Sequence, residues 1–596
     1  MKNRIELIRD NLKNRKLDAY IIPTNDPHFS EEIADHWKCF EWLSELEDLV
    51  GAFGSIALTK EKAALWVDPR YHNVNKDELK VKGIDLKKLR VENEPTDVEW
   101  VIKNLNPGET CGINGKLYSV NQVRKIKELL NKNKINLNTE VDIFDEVWKD
   151  RPFMPKGKVF IHDIKYCGKS SSDKILDIKN EMKKYDADYY LISALNDIAW
   201  ITNLRGNDSK NSPLFYSYFL VGKDENILFV NHKKIDKKII DNLSKENISI
   251  EEYSNVFSYL SKIKDNKKVL LDPKKTNYLT YNSIGKNANK CEINDITLRL
   301  KAKKNEVEIK NFKNCLIKDG IAMVKFLYWL KNSIGKEKIT ELTVEEKLLN
   351  LRKQQPLNRG LSFDTVSAYK EHAAKCHYKA NEKNNYELKK EGMLLVDSGG
   401  QYLDGTTDIT RTIVLGNITD EERRDYTLVL KALIGTANTY FRESIVGANL
   451  DIAGRSHLYK YGIEHLKGSC HGIGFYLSVH EFPPAIGLYG VPYSDMEIEE
   501  NMVMSNEPGV YKEDRHGIRL ENMQYVEKHI ETEYGKFYKF TQLTMCPFDL
   551  EGIDVSLLND EEKKWVNDYH KQVFETLSPY LDKNEKEWLF KETNKV

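Results

Sequence analysis

Residues 396–412, with the sequence VDSGGQYLDGTTDITRT, carry the strongest local structural signal of the chain. The apolar run that ends at Val396 is typical of a buried strand, and Asp397 lies at the end of that strand. The glycines that follow predict a turn, and the alternating pattern after Asp408 predicts a returning strand. We therefore expect Asp397 and Asp408 to meet across a bent hairpin, with turn capping by both aspartates as the alternative.

A second group of polar residues lies more than 60 residues further along the chain. His471 lies in the sequence CHGIG, Glu507 in SNEPG and Glu521 in GIRLEN. Buried carboxylates repel one another unless a cation neutralises them. Four carboxylates and one imidazole suit two adjacent ions of the Mn, Co or Zn type, since imidazole argues against a pure calcium site. The predicted metal ligands are Asp397, Asp408, His471, Glu507 and Glu521.

An internal repeat organises the first half of the chain. Residues 5–22 carry an amphipathic helix pattern followed by a short apolar strand, and residues 175–192 repeat this pattern 170 positions later. Each copy then reaches an Asn-Asp pair, at positions 25 and 196. Chance similarity between two helix-to-strand units is the alternative, but duplication explains the pattern better. We predict two related α/β domains in this region.

Composition shifts mark the domain boundaries. Residues 151–158 have the Pro, Gly and Lys content of a linker, and a long helical stripe begins after residue 302. The lysine clusters at 301–304 and 232–234 are interpreted as solvated faces. The predicted class is α/β (α+β), with domains at 1–156, 157–301 and 302–596, the last one catalytic with a C-terminal extension.

The overall composition excludes several classes of function. Lys and Arg number 91 and Asp and Glu 92, so a net charge of -1 gives no electrostatic motive for a nucleic-acid or anionic-membrane partner. No apolar run has the length of a signal peptide or a membrane span, so we expect a cytoplasmic location. The eight cysteines lie at least 24 residues apart, which predicts reduced side chains that serve packing.

The settings of the five predicted ligands, D-x₁₀-D, H-G-I-G, N-E-P-G and G-I-R-x-E, resemble those of the pita-bread metallopeptidases in order and spacing. Within that family they are most similar to the cytosolic three-domain Xaa-Pro aminopeptidases. Similar segments at 21–28, 66–71, 196–206 and 362–365 extend the resemblance over nearly the whole chain. The resemblance implies two creatinase-like N-terminal domains and a pita-bread catalytic domain.

The same resemblance implies an activity. It predicts a dinuclear metalloaminopeptidase that removes the first residue from peptides with proline in second position, with Mn²⁺ as the metal and Co²⁺ or Zn²⁺ as alternatives. It also implies a homodimer. A prolidase that cleaves Xaa-Pro dipeptides is the nearest alternative, and a catalytically inactive scaffold is another. Methionine aminopeptidase shares the catalytic fold but leaves residues 1–300 unexplained.

The resemblance also assigns roles to individual residues. His377 and His480 match the two substrate-binding and catalytic histidines of the family. Our own hypothesis for the mechanism makes Glu507 the general base. Arg70 matches an N-terminal arginine that holds longer peptides. Proline has no N–H group, so its pocket can be apolar and aromatic, and Tyr511 is a candidate for that wall.

Two features depart from the family pattern. Lys467 and Cys470 stand where the family usually has His and Gly, and residues 369–375 lack its Gly/Asn-rich turn. These departures bear on the shape of the substrate pocket and leave the predicted ligands unchanged.

Overall fold

The computed structural model describes residues 3–46, 52–68, 76–89, 91–375, 378–465 and 468–596 of the chain. These residues form two compact units. The first comprises Met1–Ile161 with Ser170–Thr297, and the second comprises His162–Lys169 with Leu298–Val596.

The first sheet of the first unit has six strands in the order β4-β3-β2-β1-β5-β6. Its strands are β1 (Ala19–Pro23), β2 (Gly54–Thr59), β3 (Ala63–Val67), β4 (Asp85–Lys88), β5 (Thr110–Ile113) and β6 (Asn136–Asn138). The accompanying helices are α1 (Arg4–Asn14), α2 (Cys39–Ser44), α3 (Lys76–Val81), α4 (Asp97–Asn104), α5 (Val120–Lys132) and α6 (Phe144–Val147).

The second sheet of this unit also has six strands, in the order β12-β11-β10-β8-β13-β14. The strands that follow β6 are β7 (Phe160–Ile161), β8 (Tyr189–Ile192), β9 (Leu204–Arg205), β10 (Ser217–Gly222), β11 (Asn226–Val230), β12 (Ser249–Glu251), β13 (Lys268–Leu271) and β14 (Asn289–Glu292). The helices are α7 (Ile164–Cys167, part of the second unit), α8 (Ser171–Lys183), α9 (Leu195–Thr202), α10 (Lys237–Lys245), α11 (Asn255–Ser261) and α12 (Tyr278–Ser283).

The two sheets have the same topology. In each, the strand from the repeated segment pairs antiparallel with one neighbour and parallel with the other: β1 with β2 and β5, and β8 with β10 and β13. The helix before it is capped by a polar side chain and buries one apolar stripe in both copies. This shared topology confirms the prediction of two related α/β domains. Both domains lie within one compact unit, so the boundary at residue 156 stays a prediction.

The second unit contains the longest helix, α14, and the sheets that carry the predicted ligands. Its helices are α13 (Ile296–Ala302, which begins in the first unit), α14 (Glu306–Ser333), α15 (Glu341–Lys353), α16 (Asp420–Ala437), α17 (Gly447–Tyr459), α18 (Asp560–Leu577) and α19 (Lys583–Glu592). Short 3-10 helices occur in both units. Those of the first unit are Asp35–Trp37 and His232–Lys234, and those of the second unit are Lys370–Ala374, Leu550–Gly552, Val555–Leu557 and Ser578–Tyr580.

Among the described residues, the strands of this unit form four sheets, of three, three, six and two strands. The strands are β15 (Asn358–Leu361), β16 (Val366–Tyr369), β17 (Met393–Ser398), β18 (Gly400–Tyr402), β19 (Gly405–Thr406), β20 (Ile409–Val414), β21 (Tyr440–Arg442), β22 (Cys470–Gly472), β23 (Glu481–Ile486), β24 (Val503–Asn506), β25 (Gly509–Lys512), β26 (His516–Arg519), β27 (Asn522–Thr532) and β28 (Gly535–Gln542). Sheet β16-β17-β20 and sheet β21-β28-β27-β24-β22-β23 carry the ligand strands.

The start of α14 shows why the chain folds as a helix there. Asn305 and Glu308 form a capping box, which satisfies backbone N–H groups that have no partner within the helix. Phe312, Met323 and Phe326 are buried along one stripe of this helix. The helical stripe expected after residue 302 is therefore present, whereas the domain boundary at 301 stays a prediction.

Three general expectations concern the chain as a whole. Among the described residues, none of the helices combines the length and apolar character that a membrane span requires. Seven of the eight cysteines lie among the described residues, and no disulfide joins any of these seven. The lysine clusters were expected on solvated faces, but Lys234, Lys301 and Lys304 are 2%, 4% and 3% exposed, so that interpretation is wrong for these three.

A buried ion pair joins α14 to α15. The guanidinium of Arg352 donates to both carboxylate oxygens of Asp319, at 2.9 and 3.0 Å, and the Tyr402 hydroxyl donates to the same carboxylate at 2.9 Å. The side chains of Arg352 and Asp319 are 0% and 3% exposed. Neither charge has access to bulk water, so each depends on the other for compensation.

Replacing Arg352 by Met should lower the stability of the second unit by about 3–5 kcal/mol, because Asp319 would stay buried without its cation. Differential scanning calorimetry should show a melting temperature several degrees below that of the unmodified protein. Lys353→Met, at an exposed position of the same helix, is the matched control and should melt like the parent. Equal melting temperatures for the two variants would contradict the role of the pair.

Candidate metal centre

Two adjacent strands carry the first two predicted ligands. Asp397 lies in β17, and Asp408 directly precedes β20. The two strands pair antiparallel, with Asp397 opposite Thr410. The returning strand therefore brings the two aspartates to the same end of the sheet.

The other predicted ligands converge on the same point. Asp408, His471 and Glu521 each offer a ligand atom within 4.8 Å of the other two. His471 Nε2 lies 3.4 Å from Asp408 Oδ2 and 3.2 Å from Glu507 Oε1. The imidazole thus stands between two carboxylates that are 99 positions apart in the sequence.

The electrostatics place all four carboxylates in one cluster. Burial raises the pKa of Asp397, the Arg519 guanidinium opposes this shift, and the charges of Asp408 and Glu507 add to it. Burial raises the pKa of Glu521 well above its usual value, and the charges of the other three carboxylates raise it further. Asp397, Asp408, Glu507 and Glu521 therefore repel one another, and a cation between them would relieve this repulsion.

Backbone and hydroxyl contacts fix the ligands in place. Ser505 in β24 accepts a hydrogen bond from the His471 backbone N–H at 3.0 Å and donates to Glu507 Oε1 at 3.2 Å. The Thr410 hydroxyl in β20 donates to Glu521 Oε2 at 2.8 Å, and the Thr410 backbone carbonyl accepts a hydrogen bond from the Glu521 backbone N–H at 3.1 Å. One small hydroxyl residue on a strand therefore orients the ligands on each side of the cluster.

The tautomer of His471 follows from its neighbours. Nδ1 lies 2.9 Å from the backbone carbonyl of Gly472, and because a carbonyl only accepts, Nδ1 must carry a proton. Burial would lower the pKa of His471, but hydrogen bonds to Asp408 and Glu507 raise it well above its usual value. Burial would raise the pKa of Glu507, but the hydrogen bond and charge of His471 lower it to about 2. Because Nδ1 carries the proton that binds the Gly472 carbonyl, Nε2 is the nitrogen that can bind a metal.

The donor set fits a pair of divalent cations. Among the described residues, Asp397 Oδ1 and Glu521 Oε1 are buried oxygens without a hydrogen-bond partner, which is costly for a carboxylate unless a cation approaches it. The remaining donors are carboxylate oxygens and one imidazole nitrogen, the ligand types that Mn, Co and Zn ions accept.

His480 lies beside this cluster. Its ring centroid is 4.5 Å from that of His471, with the two planes at 71°. His480 is exposed, whereas Asp408, His471 and Glu521 are buried. The ring centroid of Phe482 lies 6.3 Å from that of His471. The Phe482 ring also stacks on Tyr493, with the two centroids 5.6 Å apart. An imidazole and an aromatic surface thus border the carboxylates where a ligand could approach.

Some residues singled out in the sequence lie outside the described part of the chain. Arg70 and His377 lie outside the described residues, as does Lys467. Cys470 is buried beside His471 at the start of β22. Tyr511 in β25 accepts a hydrogen bond from Arg519, and its ring centroid lies 5.9 Å from that guanidinium.

Sequence reasoning missed Arg519, which is 4% exposed. Its guanidinium donates to an Asp397 oxygen, to the Tyr511 hydroxyl and, at 3.0 Å, to the Thr410 hydroxyl. A signal was present in the sequence, since strand alternation would place Arg519 and Glu521 on the same side. Arg519 holds one ligand directly and a second one through Thr410.

Residues 369–375, whose sequence lacks a Gly/Asn-rich turn, contain a 3-10 helix at Lys370–Ala374. The ring of His372 stacks between Tyr378, at 4.2 Å, and Tyr386, at 3.8 Å. Its Nδ1 bonds to the fully buried Glu341 at 2.9 Å, and the Tyr378 hydroxyl donates to the same carboxylate at 2.8 Å. Aromatic packing on a buried glutamate anchors this stretch in place of a glycine-rich turn.

The chain matches four family profiles. Residues 310–528 match metallopeptidase family M24, and residues 536–596 match the C-terminal region of peptidase M24. Residues 4–147 and 150–308 each match a creatinase/prolidase N-terminal domain. The two related α/β domains described above correspond to these two N-terminal matches.

Similar proteins span the full chain. Xaa-Pro aminopeptidase 1 of Dictyostelium discoideum is 36% identical, with 98% of this chain and 94% of that protein aligned. A probable Xaa-Pro aminopeptidase P of Paracoccidioides brasiliensis (strain Pb03) is 34% identical, with 100% and 99% aligned.

Solved structures show the same architecture. The X-prolyl aminopeptidase of Caenorhabditis elegans, described as a cytosolic enzyme with a di-nuclear active site, is 32% identical, with a TM-score of 0.90 over 97% of this chain and 95% of that chain. A prolidase from Thermococcus sibiricus, 19% identical, shares the fold over 64% of this chain and 99% of its own, with a TM-score of 0.51. The fold, the donor set and identity above 30% over the full length lead to one conclusion. The chain belongs to metallopeptidase family M24, in the branch of the Xaa-Pro aminopeptidases.

Proposed function

We propose that this chain is a metal-dependent aminopeptidase that hydrolyses the bond between the first residue of a peptide and a following proline. The observation that carries the proposal is the convergence of Asp408, His471 and Glu521 within 4.8 Å, in a chain whose full-length relatives bear the name Xaa-Pro aminopeptidase. A cluster of buried carboxylates with one imidazole suits metal-assisted hydrolysis and serves no evident purpose in an inactive scaffold.

The proposed cofactor is a pair of divalent ions held by Asp397, Asp408, His471, Glu507 and Glu521. Mn²⁺ is the proposed metal, with Co²⁺ and Zn²⁺ as alternatives. When bound, such ions act as Lewis acids and lower the pKa of water toward neutrality. The di-nuclear active site of the Caenorhabditis elegans enzyme supports the number of ions.

Glu507 is the proposed general base. Its side chain is 25% exposed, more open than that of Asp408 at 5%, so a water molecule can reach it. Ser505 and His471 fix one of its oxygens, which leaves the other to take a proton from water and pass it to the proline nitrogen as the bond breaks.

His480 and His377 are the proposed hydrogen-bonding partners of the substrate and of the developing negative charge. The exposed ring of His480 beside His471 supports this role. The positive amino terminus of the peptide would pair with the carboxylates of the cluster, which explains why the first peptide bond is the one cleaved.

Three further assignments belong to the same proposal. Tyr511 forms part of the wall around the substrate proline, and its hydrogen bond with Arg519 would fix the ring in place. Arg70 holds longer peptides, and two copies of the chain form a homodimer. A cytosolic location is supported by the description of the Caenorhabditis elegans enzyme.

A prolidase is the competing assignment. The solved prolidase from Thermococcus sibiricus aligns with only 64% of this chain, while the aminopeptidase from Caenorhabditis elegans aligns with 97%. The full-length match therefore favours the aminopeptidase.

The protein loaded with Mn²⁺ should release the first residue from Xaa-Pro-Yaa tripeptides, and do so more efficiently than it cleaves Xaa-Pro dipeptides. Product analysis by mass spectrometry and kcat/KM for both substrates would show this. Xaa-Ala-Yaa peptides are the matched control and should be poor substrates, because their second residue carries an N–H group. A protein that cleaves only the dipeptides is a prolidase, and the proposal would then be wrong.

Glu521→Gln should reduce the bound metal and lower kcat by at least about 10²-fold, because a neutral amide oxygen replaces an anionic ligand at the same volume. Metal content by inductively coupled plasma mass spectrometry and kcat on an Xaa-Pro-Yaa peptide are the measurements. Glu531→Gln, at an exposed position in β27, is the control and should retain metal and activity. Full metal content together with full activity in Glu521→Gln would rule out this ligand set.

A further inference from the structure

Three charged side chains form a buried cluster next to the proposed active site. Lys301 Nζ lies 3.0 Å from Glu481 Oε2, and Lys304 donates to Glu481 Oε1. Their side chains are 5%, 1% and 2% exposed for Lys301, Lys304 and Glu481. Each carboxylate oxygen thus has a lysine of its own. We call these three residues the lysine clamp.

The lysines of the clamp are fixed to the chain that leads into the site. Lys304 Nζ also donates to the Lys301 carbonyl at 3.2 Å, and the Lys304 backbone N–H donates to Asn501 O at 3.0 Å. Lys303 forms a β-bridge with Met502, the residue before β24. The ammonium groups therefore reach Glu481 from a backbone that is itself anchored.

Glu481 lies against the strand that carries His471. Glu481 pairs with Gly472, and the register between β22 and β23 shifts between His471 and Gly472. A Cβ at Gly472 would lie 2.3 Å from the Glu481 carbonyl, so the two backbones touch and only glycine fits. The Glu481 backbone is therefore packed directly against the strand that carries His471.

Glu481 also directly follows His480. The ring of His480 is exposed and contacts the ring of His471, and its position also depends on the backbone that carries it. The side chain of Glu481 holds that backbone from the buried side. Removal of one partner from a buried charge cluster leaves uncompensated charge and makes the remaining groups move toward water.

We propose that Lys301 and Lys304 are positioning residues that act through Glu481 to set the ring of His480 for the reaction. The proposal rests on the aminopeptidase function given above. A displacement of about 1 Å in a group that contacts substrate can cost about 10²-fold in rate. The clamp therefore affects turnover without contacting the substrate or the metal ligands' donor atoms.

The test is a double-mutant cycle between the clamp and His480, with an Xaa-Pro-Yaa peptide as substrate and Mn²⁺ as metal. Glu481→Gln and Lys304→Met should each lower kcat by about 10- to 100-fold, with KM changed by no more than about twofold and metal content unchanged. In the His480→Ala background the same substitutions should cost less than about twofold, because the group they position is gone.

Two further variants separate positioning from general stability. Lys304→Arg keeps the charge and should recover most of the activity lost in Lys304→Met. Lys303→Met removes an exposed lysine of the same segment, paired with Glu499 at 2.9 Å, and should behave like the parent. If Glu481→Gln does not fold, the two substitutions of Lys304 complete the cycle, since Lys301 still neutralises Glu481 in both.

Equal losses in the parent and His480→Ala backgrounds, or loss of bound metal, would overturn the positioning role and leave the aminopeptidase proposal standing. An unmodified, metal-loaded protein that cleaves no Xaa-Pro peptide would instead refute the proposed function, and the positioning role with it.

Discussion

Mutual repulsion among four carboxylates is the constraint on which the site depends. Asp397, Asp408, Glu507 and Glu521 share one largely buried cluster, and the pKa of Glu521 rises well above its usual value because of burial and its three neighbours. Arg519 supplies one compensating charge, and the imidazole of His471 supplies at most one more. Cations between the carboxylates would complete the balance, as the orphaned oxygens of Asp397 and Glu521 indicate.

The rest of the second unit holds these repelling groups at fixed positions. The antiparallel pairing of β17 with β20 brings Asp397 and Asp408 together, and that of β24 with β27 does the same for Glu507 and Glu521. Some buried charges outside the site are also compensated, as in Arg352 with Asp319 and in the lysine clamp. Rigid strands and compensated charges together make a site whose ligands cannot simply move apart.

Local sequence patterns were sufficient to predict much of this arrangement. The hairpin after Val396, the helical stripe of α14 and each copy of the duplicated α/β unit follow from periodicity, because each pattern lies within one continuous stretch of the chain. The five predicted ligands come from short motifs whose turns and strand ends are local as well.

Long-range charge compensation could not be predicted in the same way. The lysine-rich sequence of residues 301–304 is typical of a solvated face. Its actual partner, Glu481, binds Lys304 in the fold but lies 177 positions away in the sequence. Arg519 was overlooked although it lies two residues before Glu521, because its partners Asp397 and Thr410 are more than 100 positions distant. Burial of a charge is decided by its partner, and the partner is set by topology.

Anomalous X-ray diffraction from crystals of the protein loaded with Mn²⁺ would locate the metal ions directly. We predict two anomalous peaks per chain, both enclosed by Asp397, Asp408, His471, Glu507 and Glu521. Absence of anomalous density among these five side chains, or its presence only elsewhere on the protein, would contradict the dinuclear site and the function proposed for it.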